Sequence, residues 1–99
     1  MKRRIEILPR ALDDAIEAKR WYEEQREGLG LEFESTLEAV LVGIQRSPEL
    51  YPKVLGNIRR CLMGRFPYGV FFEPQGAEVV TVIAICHASR DPTSWQDRA

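Results

Sequence analysis

A single break, Gly28-Leu29-Gly30, interrupts a stretch of helix-spaced apolar residues that runs from Ala11 to Arg46. Before the break, Ala11, Ala15, Ala18 and Tyr22 share one face, with Leu12 and Ile16 beside it. After it, Phe33, Leu37, Val40, Leu41 and Ile44 form a second stripe, with Glu32, Glu34 and Glu38 off it. Two glycines tolerate backbone angles that end a helix, and Pro48 stops the second one. The spacing predicts helices over 11–27 and 31–46. Joined by so short a connection, they must double back as a hairpin. Asp13 and Asp14 are expected in the first helical turn, where the dipole favours acids. These two, with Glu17, Glu23 and Glu24, read as a solvated face, and a carboxylate pair for acid–base work is the remote alternative.

The flanking segments have a different period. Ile5 and Ile7 alternate with Arg4 and Glu6, as in a half-buried strand that Pro9 ends. Residues 47–56 read as a loop holding Pro48 and Pro52. Strands are expected over 58–63 and 68–73, joined through Gly64-Arg65-Phe66-Pro67. A turn at Pro74-Gln75-Gly76 leads to a last strand over 78–86. That last run is the most apolar and is rich in β-branched residues, so it should be a strand covered on both sides. A helical hairpin covering one face of a mostly antiparallel curved sheet, in the order β-α-α-β-β-β, is an α+β fold. At 99 residues the chain is expected to be one domain, 1–99.

Composition narrows the function classes. Hydrophobic residues are 44% and charged residues 29%, as in ordinary globular chains. The basic start, Met1 to Arg4, lacks the apolar stretch of a signal peptide, because Glu6 and Pro9 interrupt it. No apolar run is long enough to span a bilayer, and a cytoplasmic location is expected. Cys61 and Cys86 are too few for a disulfide framework and lack metal-site spacing. Buried free thiols are the expectation, with no metal and no cofactor. A net charge of −1 argues against bulk phosphate binding. It hides an asymmetry: eight Lys/Arg against eleven Asp/Glu up to Pro52, then six against four, so the two parts carry −3 and +2.

No Gly-rich phosphate loop, GxSxG or HExxH occurs. The cations around the sheet are more informative. Arg59 and Arg60, adjacent on a strand, must point to opposite faces. A meander would gather Arg65, His87 and Arg90 at one sheet end. Arginine can neutralise phosphate charge in a transition state, and His can pass a proton. Arg65, His87 and Arg90 are therefore the candidates for metal-free RNA cleavage. The plainer alternative is that Arg65 is solvated, Arg90 pairs with Asp91 and His87 ends a strand. Trp95 either anchors a partner or, the favoured reading, folds back over the sheet and closes the core. Of Trp21 and Tyr22, one should face the core and one the rim. Trp21, Tyr22, Arg59 and Trp95 are the candidate partner contacts.

Several stretches together resemble the RelE/ParE toxin superfamily. They are Trp21-Tyr22-Glu23-Glu24-Gln25 with Gly28-Leu29-Gly30 and Phe33, then Pro48-Glu49-Leu50-Tyr51-Pro52. Ile58-Arg59-Arg60, Phe66-Pro67-Tyr68-Gly69-Val70 and the ending His87-Ala88-Ser89-Arg90-Asp91-Pro92 with Trp95 and Arg98 complete the set. The likeness covers nearly the whole chain through the order and spacing of its pieces. It implies the toxin of a type II toxin–antitoxin pair, wrapped by a cognate antitoxin in a hetero-oligomer. RelE-like members cleave mRNA in the ribosomal A site, using Lys, Arg and often a C-terminal Tyr, and the resemblance adds Arg60 to Arg65, His87 and Arg90 as a candidate catalytic cation if the chain is RelE-like. ParE-like members poison DNA gyrase. No Tyr or Lys follows Ile85 here, and the long hairpin with Trp21-Tyr22 and the Arg90-Asp91-Pro92 ending look more ParE-like. The resemblance thus implies a gyrase-binding growth inhibitor first, a ribosome-dependent endoribonuclease second, and a degenerate antitoxin-binding member third.

Overall fold

A computed structural model of the chain describes residues 3–89 and 95–98. Strand β1 (Arg4–Ile7) leads into helix α1 (Pro9–Gln25), and α2 (Leu29–Arg46) returns alongside it. A 3-10 turn over Pro48–Leu50 precedes β2 (Lys53–Leu55), β3 (Ile58–Leu62), β4 (Tyr68–Gln75) and β5 (Val79–His87). A second 3-10 turn spans Gln96–Arg98. The sheet order is β1-β5-β4-β3-β2. Strands β2 to β5 form an antiparallel meander, and β1 joins β5 in parallel. The expected α+β architecture of a hairpin on a mostly antiparallel sheet is the one observed.

Local differences from the sequence reading have identifiable causes. Pro9 ends β1 but also begins α1, since its fixed φ and missing N–H suit the first helical position. The helix therefore starts early, and Asp13 and Asp14 fall beyond its first turn. The break between helices is shorter than the glycine pair suggested. Gly28 has φ 88° and makes the turn, but Gly30 lies inside α2. A Cβ at Gly30 would come within 2.7 Å of the Lys19 carbonyl oxygen, so this glycine lets the helices meet. The expected loop over 47–56 holds a 3-10 turn and a three-residue strand, too short to show a period. Arg59 pins it by donating to the carbonyls of Glu49 at 3.2 Å and Tyr51 at 2.6 Å.

The sheet separates two clusters. On the helix side, Ala11, Ala18, Tyr22, Phe33, Leu37 and Ile44 pack on Val70, Phe72, Val80, Val82 and Ile85. On the other side, Ile58, Phe71, Ile83, Ala84 and Cys86 lie under Trp95. A bulge on β5 makes this possible. Val82 pairs with Phe72 and Ala84 with Phe71, leaving Ile83 between them unpaired. Ile83 and Ala84 consequently both face the second cluster. Cys61 and Cys86 are free and buried. Burial pushes the Cys61 thiol above its usual pKa, against a hydrogen bond from Tyr51 that lowers it.

Candidate partner-binding surface

The outer side of the hairpin is more apolar than its solvent position requires. Leu12 and Ile16, which the sequence placed beside the packed face of α1, are 49% and 46% exposed. They line a groove of about 190 Å³ between the helices, floored by Ala15, Phe33, Leu37 and Leu41. Lys19 and Glu34 bridge its rim at 3.1 Å, and Glu38 continues the acidic edge. Trp21, 53% exposed, lies on another face of α1, beside Glu17 and the end of β5. Contiguous apolar surface with a polar rim is the usual mark of a protein contact.

The candidate partner residues divide. Trp21 faces the rim and Tyr22 the core, as adjacent helical positions require. The Tyr22 ring stacks on Phe33 at 5.4 Å and meets Phe66 edge-on at 4.8 Å. Burial, and then the neighbouring Tyr68, raise its pKa. Trp95 is 1% exposed and lies 4.5 Å from the Phe71 ring. It folds back and closes the second cluster, so its ring is not available to a partner in this conformation. Arg59 is occupied by backbone carbonyls. Of the four, Trp21 alone presents its ring to solvent.

The described candidate cations differ in their surroundings. Arg60 pairs with Phe71 across the β3–β4 ladder and shares the second-cluster face, its stem passing over Gly69. His87 pairs with Tyr68, whose ring packs on the helix side. Arg60 and His87 therefore lie on opposite faces of the sheet. Arg65 reaches the same sheet end as His87, where the Ala88 N–H donates to the Pro67 carbonyl at 2.8 Å. Its guanidinium, however, pairs with Glu32 of α2. His87 turns Nδ1 to the Ser89 hydroxyl at 2.7 Å. Arg90 lies outside the described residues. No group of three or more His, Cys, Asp or Glu among the described residues could hold a metal.

Two acids read as solvated do specific work instead. The Asp14 carboxylate accepts the Ile85 N–H at 3.0 Å and pairs with Arg98 at 2.6 Å. These two side chains are only 15% and 12% exposed. The bond to Asp14 is the main reason the Arg98 pKa rises. Glu23 accepts the N–H groups of Gly28 and Gly30, so α1 supplies the cap that α2 lacks. Its carboxyl is held below the usual value, first by the Gly28 bond and then by the Gly30 bond. Helix spacing alone gave no signal for Asp14. For Glu23, a carboxylate just upstream of a Gly-x-Gly break was a usable one.

A helical hairpin laid over one face of a mostly antiparallel sheet is the α+β arrangement expected from the resemblance to the RelE/ParE class of small toxins. The chain belongs to the ParE toxin family: the family model described as "ParE toxin of type II toxin-antitoxin system, parDE" matches residues 5–92. Among solved structures it is similar to a chain of the "Chromosomal ParDE TA system from P. aeruginosa", with a TM-score of 0.65 and 11% identity. That likeness covers 87% of this chain and 96% of the other, and at this identity it speaks to the fold. No curated protein matches. Among the described residues, no helix is long and apolar enough to cross a membrane.

Proposed function

We propose that this chain, a type II toxin by family, arrests growth in the cytoplasm by binding DNA gyrase rather than by cutting RNA. The observation that carries this reading is the separation of the cations. Metal-free ribonuclease chemistry needs its acid, base and charge-stabilising groups around one phosphate. Here Arg60 and His87 are divided by the sheet, and Arg65 is paired with Glu32. A protein that acts by contact needs no such constellation.

Silencing falls to an antitoxin, and the hairpin groove is where its apolar segment docks. Leu12, Ile16, Leu37 and Leu41 offer helix-spaced apolar positions to an amphipathic partner helix. A segment that folds on docking would add to the stability of a domain this small.

The test is expression of the chain with and without its antitoxin, followed by two assays on purified protein. Inhibition of gyrase supercoiling, with ribosome-bound mRNA left intact, is the expected result. mRNA cleavage that disappears in His87→Ala or Arg65→Ala would overturn the binding reading in favour of an endoribonuclease. Harmless expression would mark a member that retains antitoxin binding alone.

A further inference from the structure

Beyond the reach of β1, no described strand covers the edge of β5. β1 pairs with Val79–Val82, and among the described residues no strand continues the pairing toward His87. Asp14 fills the first gap by accepting the Ile85 N–H, and Arg98 adds a contact to the Ile83 carbonyl. Past them lies a notch of about 230 Å³ between α1 and the end of β5. Trp21 and Tyr68 line it with aromatic surface, and Glu17 and His87 supply polar groups. It is smaller than the roughly 300–1,000 Å³ clefts that hold drug-sized ligands, and suits a single side chain.

The lining selects by charge. Asp14 is matched by Arg98, but Glu17 has no ion-pair partner among the described residues. The faces of Trp and Tyr rings carry negative potential that attracts a cation. A planar guanidinium can meet a ring face and a carboxylate together. An acidic group would be repelled, and an aliphatic one would cover Glu17 without pairing it. The surplus of acids up to Pro52 adds a field of the same sign.

We propose that this notch receives an arginine side chain from the antitoxin, as an anchor separate from the apolar groove. The inference rests on the antitoxin-bound reading given above. Its first test needs no antitoxin. N-acetyl-arginine amide is titrated into the isolated full-length chain and followed by NMR. Saturable shifts are expected at the Trp21 indole N–H and at the Glu17 and His87 amides. N-acetyl-norleucine amide and N-acetyl-glutamate amide should leave these signals in place. Glu17→Gln is expected to weaken the response about three- to fivefold, as for an exposed ion pair. Trp21→Leu should weaken it about tenfold, through loss of the ring face. Both positions are at the surface, and matching circular dichroism spectra check the fold of each variant. An equal response to norleucine, or variants that bind like the wild type, would overturn the proposal.

The second test is calorimetric titration of the antitoxin into the wild type and Glu17→Gln. Weaker binding to the variant, with the difference shrinking at high salt, is expected. Equal binding to both sinks the arginine anchor alone. Failure of the antitoxin to bind the wild type sinks the toxin–antitoxin reading itself.

Discussion

The two faces of the sheet are covered by different means. The hairpin lays two long helices over one face, and the burial there is shared among many side chains from α1, α2 and four strands. Among the described residues, the other face is closed by one ring, Trp95, over five further buried residues. What holds that ring in place is a short turn tied by Arg98 to Asp14 on α1, which also accepts the Ile85 N–H of β5. The lesson is about robustness. Shared burial tolerates the loss of any one contributor better than a face that depends on a single tryptophan and a single ion pair.

The largest expected effect tests that dependence. Trp95→Ala should cost about 3–5 kcal/mol, as for a fully buried large aromatic. Urea unfolding would show it as a lowered midpoint at unchanged slope. A cost below about 1 kcal/mol would mean that the second cluster is no core at all, and the comparison would break. Next comes the tie. Asp14→Ala strips the Ile85 N–H and the Arg98 guanidinium of their acceptor, for an expected cost of about 1.5–3 kcal/mol. Combined with Arg98→Ala, the losses should be less than additive, because both variants remove the same bond. Strict additivity would mean that the pair does not hold the turn.

On the helix side, one spot depends on close approach of the two backbones. Gly30→Ala places a methyl 2.7 Å from the Lys19 carbonyl oxygen, and backbone cannot yield as a side-chain tip can. The helices must part, at about 1–3 kcal/mol. An unchanged melting temperature would show that the hairpin has slack there and that close approach is not what Gly30 serves.

The same contrast explains what could be read from the chain. The hairpin was legible because Phe33, Leu37 and Ile44 recur at helical spacing, and periodicity records which face is buried. The meander was legible from β-branched runs between turn residues. Even the fold-back of Trp95 was the favoured alternative for a lone aromatic in a polar tail. The bulge at Ile83, the parallel partner of β1 and the Asp14–Arg98 tie were not legible. Each joins residues far apart in sequence through one contact, and a single contact leaves no period. The pairing of the cations was not legible for the related reason that a strand fixes the face of a side chain but not its partner. Arg65 was placed at the correct sheet end, yet nothing in its neighbourhood pointed to Glu32, more than thirty residues earlier.

The smallest expected effect concerns Glu23, where the helix side also rests on one residue. α2 begins at a left-handed glycine with no side-chain cap of its own, and Glu23 reaches across to accept two of its free N–H groups. Those bonds favour the charged form, so the carboxyl is more acidic folded than unfolded. Its contribution to stability is therefore complete above the unfolded value and fades as the pH falls through the lowered folded one. Glu23→Gln removes that charge at every pH. The wild type should melt higher than the variant at about pH 7, and the gap should narrow steadily toward about pH 3. Hydrogen exchange at Gly28 and Gly30 should quicken in the variant and in acidified wild type alike. A gap that stays constant on acidification would mean that the charge at Glu23 contributes nothing, leaving the hairpin turn to its glycines alone.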